Sequence, residues 1–114
     1  MSLKLAKERD EATVARMVYR LTKEPATVFG LDAGSLAIGA RADMVLLNPK
    51  ALDNWEPDQT RVLEHREIFD HKQMVNRPKG IVASVFIKGV LAWANGEPQE
   101  ALGRDTLGQA LRAA

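Results

Sequence analysis

The stretch Val82-Ala-Ser-Val-Phe-Ile-Lys-Gly-Val-Leu-Ala-Trp93 constrains this chain more than any other. Two apolar runs flank Lys88-Gly89, where glycine supplies the positive φ that a tight hairpin turn requires. A two-residue turn sets Ile87 opposite Val90, Phe86 opposite Leu91, Val85 opposite Ala92 and Ser84 opposite Trp93. Val85, Ile87, Val90 and Ala92 then share one face, and Phe86, Leu91 and Trp93 the other. Side chains alternate across a strand, so a hairpin with one face in water should carry polar residues on that face. This one is apolar on both, and needs cover on both.

Asp43 to Leu47 is a second strand. Its unbroken Val45-Leu46-Leu47 run predicts burial on both sides, and Pro49 ends it. Upstream, Val14, Met17, Val18 and Leu21 recur at helical spacing and predict a helix over 7–23, with Asp10 as a possible internal start. Pro25 to Phe29 reads as a short second helix with Gly30 past its end. Gly34 and Gly39 permit bends. Asn95-Gly96 is a further turn, and Leu102 to Ala113 a weakly helical tail. Between Lys50 and Lys79 the chain is polar and irregular. A structureless loop of that length is unusual in a small self-contained domain, so it reads as a segment lying on a larger body. On this pattern the β-structure is confined to 43–47 and 82–93. The fold class is α+β.

Composition narrows the partners. The 114 residues carry 16 basic and 15 acidic side chains, for a net charge of +1 with the signs mixed along the chain. That balance argues against nucleic acid and against an anionic membrane surface. The chain has no cysteine, which excludes thiolate zinc sites, disulfides and a cysteine nucleophile. The absence of thiols and of a signal-like apolar run suits a cytoplasmic protein.

Few residues offer chemistry. His65 and His71 sit in neither an HxH nor an HExxH pattern, and a hydrolytic zinc site needs three or four convergent ligands. Both read as surface or packing residues. Glu64-His65-Arg66-Glu67 has the residue types of a triad, but adjacent side chains diverge. Phosphate-binding loops and GxSxG elbows are absent. Trp93 reads as a packing residue. Trp55 either anchors the long segment against a neighbouring domain or lines a substrate pocket, and anchoring is favoured. No catalytic, substrate-binding or metal-ligating residue is assigned in this chain.

Two stretches carry a resemblance. Leu21-Thr-Lys-Glu-Pro-Ala-Thr-Val-Phe-Gly-Leu31 and Gly34-Ser-Leu-Ala-Ile-Gly-Ala-Arg-Ala-Asp-Met-Val-Leu-Leu47 resemble the segment that follows the barrel in amidohydrolases. Phe86-Ile-Lys-Gly-Val90 resembles the closing hairpin of that superfamily. Gln73-Met-Val-Asn-Arg-Pro78 and Gly96-Glu-Pro98 look most like the N-acyl-D-amino-acid deacylase branch. Ala33, Asn48 and Lys88 depart from that branch, which favours Arg, Asp and Asn there. The resemblance implies a (β/α)₈ barrel plus a small β-sandwich built from both ends of the parent chain. Residues 1–31 would be the last barrel helices, and 32–114 the carboxy-terminal share of the sandwich. It implies zinc for the parent enzyme and none held here. The expected partners are the rest of the parent chain and a second copy of this one. The alternative is a free-standing interaction module or a non-catalytic subunit. In either reading Asp43 is structural, bonding backbone at the strand entrance.

Overall fold

A computed structural model describes residues 2–113. Three helices come first: α1 (Ser2–Lys7), α2 (Glu11–Leu21) and α3 (Lys23–Val28). The single helix expected over 7–23 is broken before α2. Asp10 is extended, and its Oδ1 accepts the N–H of Thr13 at 2.7 Å. An aspartate in that conformation ends one helix and starts the next.

The α2–α3 corner falls at Thr22, whose hydroxyl donates to the Val18 carbonyl at 2.7 Å. Pro25 lies in the first turn of α3, where its missing N–H costs nothing. Gly30, at φ 64°, closes that helix. Leu31 donates to the Ala26 carbonyl at 2.7 Å and Gly30 to that of Thr27 at 3.2 Å, the paired bonds of a Schellman ending.

The main sheet is antiparallel, in the order β1–β4–β5–β6. Its strands are β1 (Met44–Leu47), β4 (Val82–Ile87), β5 (Val90–Ala94) and the two-residue β6 (Glu97–Pro98). Both predicted turns form, with Lys88, Gly89, Asn95 and Gly96 all at positive φ. The register of β4 against β5 holds for Ile87–Val90 and Phe86–Leu91 and then slips. Ala92 is an extra residue, so Val85 faces Trp93 and Ser84 faces Ala94. A bulge of this kind transfers every later side chain to the opposite face. Trp93 therefore joins Val85 rather than Phe86 and Leu91.

The segment between Lys50 and Lys79 is not irregular. Asn48 caps α4 (Pro49–Asp53) by accepting the Ala51 N–H at 3.1 Å, the same role an aspartate would fill. The one-turn α5 (Pro57–Thr60) follows, then β2 (Arg61–Arg66) and β3 (His71–Asn76). These two strands pair from Arg61–Asn76 to Arg66–His71, around a 3₁₀ turn at Glu67–Phe69 and a left-handed Asp70. The restriction of β-structure to 43–47 and 82–93 is thus overturned. Alternation here is interrupted by Glu64 and Gln73, which share a face with Val62 and Val75, so the apolar period is diluted. The carboxy-terminal stretch carries turns and one isolated bridge, Leu102–Asp105, and no helix among the described residues.

The core is small. Ala6, Ala26, Leu52, Ile81, Ala92 and Ala94 are its buried apolar residues. β1 is not buried on both sides: Val45 is 55% exposed and Leu46 52%. The surface totals 9022 Å², against roughly 6,200 Å² for a compact monomer of this mass. The radius of gyration is 16.2 Å, where about 13 Å is typical of this length.

Candidate functional site

Two polar junctions and one cleft organise the surface. The first junction joins the entrance of β1 to the β4–β5 turn. Asp43 Oδ1 accepts the N–H of Lys88 at 2.8 Å, and the Ala42 carbonyl accepts that of Gly89 at 2.8 Å. The Arg41 guanidinium holds the other carboxylate oxygen of Asp43. The hydrogen bond from Arg41, then that from Lys88, keeps the Asp43 carboxyl below its ordinary pKa. The structural role read for Asp43 is the one observed, although the backbone it bonds belongs to the opposite turn. Arg41 Nη1 is buried with no acceptor.

The second junction is built on Trp55. Its Nε1–H donates to Thr60 Oγ1 at 2.7 Å, Thr60 donates to Asn76 Oδ1 at 2.7 Å, and Asn76 Nδ2 donates to the Pro57 carbonyl at 2.9 Å. This relay ties the ends of α4 and α5 to the end of β3. Trp55 also lines a cavity of about 320 Å³ with Ala51, Pro78 and Ile81.

The cleft, of about 950 Å³, is open on one side. Its apolar lining includes Val82, Val85 and Trp93, and its polar lining includes Asn48, Arg77, Lys79 and Glu97. Its occupancy by both Val85 and Trp93 follows from the bulge at Ala92. Trp93 is half-buried, so it floors a cleft rather than a closed core. Arg77 is engaged by Glu64 at 3.0 Å.

The two histidines are not brought together. His65 faces Lys72 and His71 faces Arg66, which places them on opposite faces of the β2–β3 hairpin. His65 Nε2 lies 3.6 Å from Asp70 Oδ1, while His71 is within hydrogen-bond distance of the Phe69 carbonyl and of Gln73, both at 3.0 Å. Among the described residues no three His, Cys, Asp or Glu side chains converge on a point that could hold a metal ion. The described donor set does not fit a catalytic zinc. No helix among them is long and apolar enough to cross a membrane.

Fold and surface together define an α+β chain with antiparallel sheets and under-covered apolar surface. The sequence profile of the amidohydrolase family matches residues 1–92, and the chain belongs to that family. Uncharacterized proteins of Mycobacterium tuberculosis and Mycobacterium bovis are 33% identical over 104 residues, covering 83% of this chain and 16% of theirs. A dihydroorotase of Geobacillus is 29% identical over 99 residues, covering 78% of this chain and 20% of that protein. A dihydroorotase of Anaeromyxobacter dehalogenans is 48% identical over 50 residues, covering 44% of this chain and 11% of that protein. The chain thus spans a fifth or less of the length of these curated relatives. No solved structure matches it.

Proposed function

We propose that these residues form the carboxy-terminal structural portion of a metal-dependent amidohydrolase that hydrolyses an amide C–N bond, with N-acyl-D-amino acids as substrate. The observation that carries the reading is the family match over residues 1–92, in a chain that spans a fifth or less of its relatives' length. Residues 1–31 would close the barrel and 32–114 would complete a composite β-sandwich. The parent's zinc would be held at the barrel, where such enzymes place catalytic groups at the strand ends, and would activate a water for attack on the carbonyl. This chain's part is to hold shape: the Asp43–Lys88 junction fixes the hairpin, and the Trp55 relay fixes the segment beside it.

The under-covered surface supports the same reading. The excess over a compact monomer is roughly 2,800 Å², more than a standard interface buries on one partner. Val28 is 75% exposed, Leu36 79% and Ile38 107%, along a stretch that would lie against the barrel. The orphaned Nη1 of Arg41 would find its acceptor there or on the completing strands.

The substrate class rests on the Gln73–Pro78 and Gly96–Pro98 resemblance. The dihydroorotase relatives favour a second reading, in which the parent acts as they do. The product of the complete reading frame carrying these 114 residues distinguishes the two. Turnover of N-acetyl-D-amino acids with one or two bound zinc ions is expected. Turnover of dihydroorotate alone supports the second reading, and a frame without further histidine-rich sequence overturns both.

A further inference from the structure

The β5–β6 turn, Ala94-Asn-Gly-Glu97, sets a side-chain amide beside an unshielded backbone nitrogen. Asn95 and Gly96 both have positive φ, 55° and 82°. In this two-residue geometry the flanking Ala94–Glu97 pair makes the ladder bonds. The Gly96 N–H therefore has no backbone acceptor among the described residues, and a Cβ on Gly96 would meet no atom within 4 Å. Asn95 is exposed. The other asparagines are restrained. Asn48 caps α4 and precedes Pro49, which has no N–H. Asn54 precedes Trp55, whose N–H is turned to the Leu52 carbonyl at 3.4 Å. Asn76 is held at both ends of its amide, by Thr60 and by the Pro57 carbonyl.

We propose that Asn95 is a modification site, deamidated spontaneously through its own backbone. The Gly96 nitrogen attacks Cγ of Asn95 and a C–N bond forms. The bond from Cγ to Nδ2 breaks, and the displaced nitrogen takes the Gly96 proton and leaves as ammonia. Water then opens the cyclic succinimide at either carbonyl, which gives aspartate or isoaspartate. Water is the only co-reactant. Glycine suits the attacking position because it has no Cβ to crowd the ring.

The closed turn holds Asn95 in the left-handed region, so ψ must swing out of it before attack, and the turn must open. Little resists. β6 is two residues long and lies at the edge of the sheet. Pro98 brings no N–H to its pair with Trp93, and the Asn95 N–H reaches the Ala83 carbonyl only at 3.4 Å. Gln99 restores a short bond, to the Ala92 carbonyl at 2.9 Å. Short edge segments open at far lower cost than the whole fold. The product alters the cleft, whose wall Asn95 shares with Glu97. A carboxylate at 95 adds negative charge there and takes these residues from a net +1 to neutral. Isoaspartate also inserts a carbon into the backbone of a two-residue turn, which displaces the register of β6. This inference does not rest on the amidohydrolase reading.

The test uses the product of the complete reading frame, held in mildly alkaline buffer, digested with trypsin and followed by mass in the Gly89–Arg104 peptide. If only global unfolding exposed the turn, the native protein would react more slowly than the same protein in urea by a factor of roughly several thousand. Local opening instead gives a native rate within about a hundredfold of the urea rate, and at least about tenfold above that at Asn48, Asn54 or Asn76 in the same sample. Both aspartate and isoaspartate should accumulate, and Asn95→Gln should leave the peptide unchanged over the same interval. A native rate more than about a hundredfold below that in urea would overturn the proposal. So would an equal or faster reaction at another of these asparagines, or the same acid accumulating in Asn95→Gln.

Discussion

The Asp43 carboxylate accepts the Lys88 N–H at 2.8 Å across 45 residues of chain, and so makes the entrance of one strand depend on the turn between two others. Removing it with Asp43→Ala orphans both the Lys88 N–H and the Arg41 guanidinium. A loss of about 1–2 kcal/mol is expected, read from chemical denaturation.

The same carboxylate makes stability fall with acid. Its pKa in the folded chain is depressed, by Arg41 first and Lys88 second. A depressed carboxyl contributes stability that is fully present above its unfolded value, near 3.8, and is lost as pH falls through the folded value. The melting temperature should therefore drop below about pH 4, and Asp43→Asn should flatten that part of the profile. An unchanged slope in the variant would show that other carboxyls carry it. Asp10, depressed by the Thr13 N–H, contributes with the same sign.

Gly34 is held against the α2–α3 corner. A Cβ there would lie 2.7 Å from the carbonyl carbon and oxygen of Thr22 and 2.9 Å from the Lys23 nitrogen, with φ at +75°. Backbone cannot step aside as a side-chain tip can. Gly34→Ala should cost roughly 2–4 kcal/mol, the sum of left-handed strain and overpacking. Gly39→Ala, with φ +83° and open space around it, should cost only about 1 kcal/mol. Equal losses in the two variants would remove the steric argument.

Lys4 links α1 to the far end of α4. Its ammonium donates to the Asp53 carbonyl at 3.0 Å and to that of Trp55, and it lies 3.5 Å from the Glu56 carboxylate. A cation at a helix C-terminus also meets the negative end of the helix dipole. Lys4→Met keeps the stem and removes the charge. It should cost about 1–2 kcal/mol and raise hydrogen exchange in α1 more than in β4 or β5.

Metal analysis of the isolated chain should find no stoichiometric zinc, and hydrolysis of an N-acetyl-D-amino acid should match a buffer control. One tightly bound zinc per chain would show that His65 and His71 recruit ligands the present arrangement keeps apart.

Where local chemistry dominates, the sequence was legible. Asn95-Gly96 and Lys88-Gly89 made the turns their φ preferences require, Gly30 ended its helix, and Asp43 bonded backbone. The β2–β3 hairpin was missed because its strands carry Glu64, His65, Lys72 and Gln73 among the apolar positions, and it folds chiefly against itself. The expected helix over 7–23 failed at Asp10, where a side-chain cap outcompeted continuous periodicity.

What the sequence determined by itself is the element boundaries set by glycine, proline and capping side chains, the apolar character of the β4–β5 hairpin, and the resemblance that led to the family. Those follow from short-range sterics and hydrogen bonding, which a few neighbouring residues decide. Only the tertiary structure decided that Trp93 shares a face with Val85, that Asp43 reaches Lys88, and that His65 and His71 lie on opposite faces. Each of these depends on register and on contacts between distant segments. A single extra residue such as Ala92 reverses which side chains a strand presents, and nothing local in the sequence announces where it will fall.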